Sequence, residues 1–448
     1  MNLFDLDNEE KLQRTVRILV YPNITFQQAL EMDSYIQVIK KQITLLNQIR
    51  DDLWFYLILP CPVPSLDFDN VTQFYVDMPT YPPTMRSHFD VLKIQKLLDG
   101  KLDYDLVMTH LPEHAHALKN VMYNVTHHTP KFFGYCHWFD VKSVVAWPKD
   151  AFRQNIMGLL EYERCYLNTQ YQKNLVLKEA METVNMDTSA KLDKILVPQH
   201  LGADAKDIIE QINETPEKII VFNHRPDTYK HFKEFMSVCD ELRTIRQDFK
   251  VWIPLLETPN RDYVVTTKGN KEWYYKELRK CYVGFSPKQT YGGWSVATTD
   301  GMMNGVPYIM YNDSYYHELY AQGDFFDDDY EAVMLLNTYL DDPRYRNEEA
   351  DKALDWMKTH LIYKDKMFEM SAYMDSLIND THAMSATSKK FIEIVNWIKN
   401  SGRLSKEELL GNLNWGRGIK WTPYRRALMN HPNIYDVNGS KPYYCWID

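Results

Sequence analysis

Two short stretches of this 448-residue chain hold residues suited to an anionic, hydroxyl-rich ligand. In the first, FNHRPDTYKHF, Arg225 and Lys230 follow the apolar run Lys218 to Phe222. If that run is a strand, the pair lies in the loop and the first helical turn beyond it. There a guanidinium and an ammonium can neutralise a diphosphate. The plainer alternative is a pair of solvated basic residues at a helix start. In the second stretch, SPKQTYGGWSVATTDGMMNGVPYI, Gly292 and Gly293 follow one predicted strand and precede a helix. They let the backbone approach a phosphate or a sugar hydroxyl closely. The helix carries Asp300 one to two turns in, and Gly305-Val306-Pro307 ends it. A tight turn and a surface acid would explain the same residues. No G-x-G-x-x-G, P-loop or metal-ligand pair is present, which disfavours dehydrogenase and ATPase chemistry.

The elements that would position these residues alternate in the manner of parallel strands joined by helices. RILVYP, LWFYLILP, VTQFYVD, DYDLVMTH and KFFGYCHW read as strands, with helical patterns between them, so residues 16–166 form one doubly wound sheet. A second series follows the Pro- and Gly-containing stretch ILVPQHLGAD, read as an interdomain linker: KIIVFNH, FKVWIPL, YVGFSP and VPYIMY alternate with helices. Two such halves imply a cleft between them. The expected division is an acceptor domain over 1–198, a nucleotide-sugar domain over 199–365, a crossing helix over 366–401 and a basic tail over 402–448.

The second half resembles the donor domain of retaining GT-B glycosyltransferases, the family of glycogen synthase-like and sucrose synthase-like enzymes. That family shows an Arg and a Lys after the first strand of its second domain, matched here by Arg225 and Lys230. It also shows an acid-x7-acid motif ending in acid-Ala-Met-x-x-Gly-x-Pro, matched by DGMMNGVPYI from Asp300 to Ile309. The resemblance implies an α/β fold of two Rossmann-like domains facing a cleft and a nucleotide-sugar donor, most readily a UDP-sugar. It further implies metal-independent transfer with retention and no cofactor. Asp300 inherits the contact to the ribose hydroxyls, and Arg225 and Lys230 the leaving diphosphate. The first acid falls on Gly292, a departure, and either the backbone of Gly293 and Trp294 or the side chain of Gln289 stands in for it. His137, in YCHWFD, takes the place of a histidine set against the donor sugar, with a structural histidine as the alternative.

Bulk properties narrow the setting. The composition, 45% hydrophobic and 25% charged, is globular, and no run of about 18 apolar residues occurs, so a soluble cytoplasmic protein is expected. The six cysteines (Cys61, Cys136, Cys165, Cys239, Cys281, Cys445) show no paired spacing and read as reduced thiols. A net charge of −10 argues against a general nucleic-acid binder, yet the tail is locally basic. It carries a capping box, Ser405 with Glu408, then Thr422-Pro423 as a second helix start, and then two β-rich runs around Asn438-Gly439. That order, helix, helix, hairpin, is that of a winged-helix-like module, with Arg417, Lys420, Arg425, Arg426 and Lys441 facing DNA or, alternatively, a protein contact. A sugar-transfer enzyme with such a tail resembles, in architecture, the T-even-type bacteriophage DNA glycosyltransferases. That makes double-stranded DNA carrying 5-hydroxymethylcytosine the expected acceptor. A polysaccharide, lipid-linked or protein acceptor is the alternative, and a catalytically inactive GT-B fold that binds DNA is a second one.

Overall fold

The computed structural model describes residues 15–22, 34–59, 66–77, 80–81, 86–87, 89–99, 104–126, 129–136, 138–141, 150–259, 261–267, 269–289 and 293–378, with short pieces between 394 and 446. The first half runs β1 (Val16–Tyr21), α1 (Ser34–Asn47), β2 (Leu53–Leu59), β3 (Val71–Tyr75), a short pair β4 (Thr80–Tyr81) and β5 (Arg86–Ser87), then α2 (Val91–Leu98). It continues β6 (Leu106–Thr109), α3 (Pro112–Thr126), β7 (Lys131–Tyr135), α4 (Asp150–Leu159), β8 (Arg164–Leu167), α5 (Gln170–Met181), α6 (Met186–Ile195) and β9 (Leu196–Pro198). Seven of these strands form one parallel sheet in the order β3-β2-β1-β6-β7-β8-β9. Strand β1 reads VRILVY because a central parallel strand is covered on both faces: Ile18 and Val20 join one core, Leu19 and Tyr21 the other.

The second half repeats the plan. It runs β10 (Ile219–Val221), α7 (Phe232–Ile245), β11 (Lys250–Trp252), β12 (Val264–Val265), α8 (Lys271–Leu278), β13 (Val283–Ser286), α9 (Val296–Met302) and β14 (Tyr308–Tyr311). Then come α10 (Ser314–Leu319), β15 (Asp324–Phe326), α11 (Asp329–Asp341), α12 (Pro343–His360) and α13 (Tyr363–Leu377). The sheet is parallel in the order β12-β11-β10-β13-β14-β15, the doubly wound arrangement with its reversal between β10 and β13. Gly305, at φ +77°, closes α9 in a conformation that costs a side chain strain. Gly301 is a glycine for another reason: a Cβ there would lie 2.1 Å from the Tyr308 ring, on which α9 rests. Asp342 caps α12 through the amides of Arg344 and Tyr345, with Pro343 in its first turn, so the chain turns sharply out of α11.

Arg346 on α12 is 1% exposed and serves as a backbone clamp. Its Nε donates to the Tyr282 carbonyl (2.9 Å), Nη1 to that of Asn213 (2.9 Å) and Nη2 to those of Gly305 (3.0 Å) and Cys281 (3.4 Å). Arg346→Met should strand these carbonyls and lower stability by about 3 kcal/mol or more. Urea unfolding measures this, and a change below about 1 kcal/mol would show that the clamp is dispensable.

The two halves are joined by two parallel passages of chain that hydrogen-bond to each other. Ala203 N donates to the Leu361 carbonyl (2.7 Å) and Tyr363 N returns to that of Ala203 (3.0 Å). Helix α13 then lies on α1 and adds Tyr363, Met367, Phe368, Met370 and Met374 to the first domain's core. Arg50, after α1, is held by Asp375 of α13 (2.8 Å) and Asp52 (2.6 Å). On another side, Glu318 of α10 accepts from the first amides of α5, Gln170 N (2.6 Å) and Tyr171 N (2.7 Å), beside a Tyr171–Tyr315 edge contact. Two sequence expectations need correction here. Only part of ILVPQHLGAD is linker, because Leu196–Pro198 pairs with β8 as the seventh strand. The crossing helix begins at Tyr363, not at residue 366, because the return passage ends there.

The tail contributes β16 (Arg403–Ser405), β17 (Ile434–Val437) and β18 (Tyr443–Trp446) in an antiparallel sheet ordered β16-β18-β17. The two strands on either side of Asn438-Gly439 pair antiparallel, the turn itself lying outside the described residues, and β16 is an unforeseen third strand. The expected helix starting at Thr422 lies outside the described residues. Cys136, Cys165, Cys239 and Cys281 are buried free thiols.

Candidate functional site

Ligands of open α/β sheets bind beyond the strand ends where the strand order reverses. In the second domain that point lies between β10 and β13. Asn223, the second residue after β10, ties it together: its Nδ2 donates to the Ala297 carbonyl of α9 (2.7 Å) and to Tyr274 OH of α8 (2.8 Å), and its Oδ1 accepts from Tyr308 OH (3.1 Å). The loop that follows carries Arg225, whose side chain is 66% exposed and pairs with Asp227 at 3.4 Å. Asp227 also accepts from Lys230 N (3.0 Å), capping a single 3₁₀ turn over Thr228–Lys230. Lys230 therefore sits ahead of α7, which starts at Phe232, and not in its first turn as the sequence suggested. His231, at φ 47°, separates the two. The ammonium of Lys230 reaches across to Gln289 Oε1 in the loop after β13. Burial, and secondarily the charge of Arg225, pull its pKa down to about 8. Burial holds the neighbouring His224 well below the usual imidazole range, so that ring is neutral.

Beyond β13 the backbone passes Gln289 and Gly293 and enters α9 at Ser295, whose hydroxyl accepts from Thr298 N (3.3 Å). Trp294 is buried and stacks on His200 of the interdomain passage, ring centroids 4.8 Å apart. One turn into α9, Asp300 accepts from Tyr275 OH of α8 (3.3 Å) and opens onto a cavity of about 940 Å³. Trp294, Lys271 and Tyr275 line it from this domain, Lys41 of α1 from the other, and Asp204 and Asp207 from the connection. Burial raises the Asp300 carboxyl to about 6 against the opposing pull of Lys271, Tyr275 and Lys41. Lys41 is pulled down to about 8 by burial, and its Nζ donates to the Gly202 carbonyl (2.7 Å). Across the cleft, Trp138 of the first domain faces Tyr229, ring centroids 6.3 Å apart.

No protein-family model and no curated protein sequence matches the chain. Solved structures do. A glycosyltransferase from Rickettsia africae aligns with 82% of this chain and 99% of its own at TM-score 0.59 and 11% identity. HepE of Anabaena, solved in complex with UDP, aligns over 81% and 100% at 0.58 and 9%. An α-glucosyltransferase in complex with UDP aligns over 81% and 100% at 0.52 and 12%. Two Rossmann-like domains match these proteins across nearly their whole length. The fold is GT-B. At such identities the likeness is one of architecture.

Arg225 and Lys230 follow β10, and Gly293, Trp294 and Asp300 follow the adjacent β13; the Lys230–Gln289 contact links the two segments, while Trp294 and Asp300 line the cavity and Arg225, Lys230 and Gly293 are not among its lining residues. Asp300 is a half-buried acid in a cavity, not a surface one. His137, Gly292, Arg417, Lys420, Arg425, Arg426 and Lys441 lie outside the described residues. Among the described residues no group of three or more His, Cys, Asp and Glu side chains is placed to hold a metal ion, and no helix is long and apolar enough to cross a membrane. The reading of the sequence did not foresee Asn223, Tyr275 or Lys41. Asn223 had a local signal, a polar residue directly after an apolar strand. Lys41 had none, because it reaches this edge only through the packing of α1 against the crossing helix.

Proposed function

We propose that the chain transfers a sugar from a nucleoside-diphosphate donor, UDP-sugar by preference, to a hydroxyl acceptor. The observation that carries this is the placement of a half-buried cation, Lys230, and a cavity-facing acid, Asp300, on the segments that follow the adjacent strands β10 and β13 of a GT-B fold. Asp300, as the carboxylate, takes the two ribose hydroxyls, and Lys230 with Arg225 takes the diphosphate. As the bond from the anomeric carbon to the diphosphate breaks, its electron pair leaves on the phosphate oxygen. Lys230 offsets that charge from a half-buried position, and Arg225 from the exposed rim. The acceptor oxygen forms the new bond on the same face and passes its proton to the departing phosphate oxygen, which is transfer with retention.

For the acceptor we propose 5-hydroxymethylcytosine in double-stranded DNA. Support comes from the tail, where Arg403, Lys406, Arg417, Lys420, Arg425, Arg426 and Lys441 outnumber Glu407, Glu408, Asp436 and Asp448, and where a three-stranded antiparallel sheet forms. A basic module of that kind binds duplex through its phosphates and weakens with salt. The test incubates the protein with a panel of UDP-sugars, with and without DNA containing the modified base, and follows UDP release and sugar incorporation. Truncation at residue 402 should leave donor hydrolysis intact and reduce transfer to DNA. Donor hydrolysis with no incorporation into DNA by the full chain would return the acceptor to a polysaccharide, lipid-linked or protein hydroxyl. No UDP release with any sugar would favour the inactive, DNA-binding alternative.

A further inference from the structure

We propose that Gln289 is a positioning residue that fixes the Lys230 ammonium at the leaving diphosphate while leaving its charge uncompensated; this rests on the donor-site reading above. Three hydrogen bonds set the amide. Gln289 N donates to Tyr315 OH (2.9 Å), Nε2 donates to Tyr316 OH (3.0 Å), and Tyr316 OH spends its proton on the Pro287 carbonyl (2.9 Å). Because the Tyr316 hydroxyl is already a donor to Pro287, it can only accept from Gln289. The NH₂ group must therefore point at Tyr316 and Oε1 at Lys230. Gln289, Tyr315 and Tyr316 are 5%, 1% and 0% exposed, so the acceptor is rigidly mounted.

The electrostatic setting explains why an amide suits this place. Arg225 and Asp227 are the charges that face Lys230 from its own loop, His224 is neutral, and the Tyr229 ring lies 5.9 Å from the ammonium. Asp227 is engaged by Arg225 and by the Lys230 amide. A neutral acceptor uses one of the three ammonium protons and leaves two, with the full charge, for phosphate oxygens. A carboxylate in the same place would hold the lysine equally well and cancel that charge.

The experiment measures UDP affinity by calorimetry from about pH 7 upward for the wild type, Gln289→Glu and Lys230→Met. In the wild type, affinity should fall as pH rises through the Lys230 pKa of about 8. Gln289→Glu should weaken UDP binding about tenfold at about pH 7 and move that alkaline limb up by about one pH unit or more. Gln289→Met, which keeps the volume and loses the acceptor, should move the limb down, and serves if the glutamate variant does not fold. A purely structural Gln289 would leave the limb in place in every folded variant. Wild-type affinity and an unmoved limb in the Gln289 variants, with weakened binding in Lys230→Met, would overturn the role of Gln289 alone. Unweakened binding in Lys230→Met would overturn the donor-site reading with it.

Discussion

Lys230→Met should lower turnover on a UDP-sugar by about two to three orders of magnitude, the range seen when one preorganised donor to a developing oxyanion is removed. The same substitution should raise the melting temperature at neutral pH. Burial pulls the folded-state pKa of Lys230 from 10.5 to about 8. The unfolded chain therefore holds this proton more tightly, and stability rises with pH between those two values. Below about 8 the lysine is charged in both states and its desolvation penalty is present in full. A methionine of similar length removes that penalty. Arg225→Ala should cost less, because Arg225 is two-thirds exposed and its charge is screened. Steady-state kinetics with thermal melts check both. A Lys230→Met enzyme of near-native turnover would remove Lys230 from the chemistry.

Asp300→Asn should separate binding from chemistry. Its carboxylate is assigned to two ribose hydroxyls, so the loss should appear as a KM for donor raised by about tenfold with kcat little changed. A large fall in kcat at unaltered KM would contradict that assignment. The stability effect has a definite sign. Folding raises the carboxyl from 3.8 to about 6, so stability falls as pH rises through that window, and at neutral pH Asp300 is a net cost. The asparagine variant should melt about 2–4 °C higher at neutral pH. It should lose that advantage in acid below the window, where the wild-type group is protonated in both states. Donor affinity of the wild type should fall as pH drops through about 6, since a protonated Asp300 accepts poorly.

Much of this was legible in the sequence, for reasons that can be named. Parallel strands buried on both faces leave uninterrupted apolar runs such as ILVY and YIMY, and these marked both sheets. Gly305 and Pro343 punctuate helices through their own backbone geometry, so the end of α9 and the start of α12 could be read locally. Arg225, Lys230 and Asp300 were visible because each follows a strand or sits a fixed distance into the next helix. What escaped was whatever depends on distant parts of the chain. Gln289 was singled out as a stand-in for the missing first acid, but that Tyr315 and Tyr316, 26 and 27 positions on, hold its amide toward Lys230 could not be read locally. The strand Leu196–Pro198 was mistaken for linker because three residues carry too little periodicity to announce a strand. Lys230 was placed in a helix because one residue in the left-handed conformation, His231, leaves no trace in composition.

The capping of α5 by Glu318 bears on how fast such a molecule can let go of its product. Parting the two domains on that side uncovers Tyr171, which packs on the second domain's core. It breaks one carboxylate's hold on two amides, with the Tyr171–Tyr315 edge beside it, while the paired backbone passages at Ala203 and Ile362 stay intact as a pivot. Each charge-assisted hydrogen bond contributes about 1.5–3 kcal/mol, so the two together contribute about 3–6 kcal/mol. A tilt of that cost keeps roughly one molecule in a hundred to one in ten thousand parted at any moment. On the proposed donor reading, release of UDP draws on that standing minority population, set by Glu318 and the packing of Tyr171.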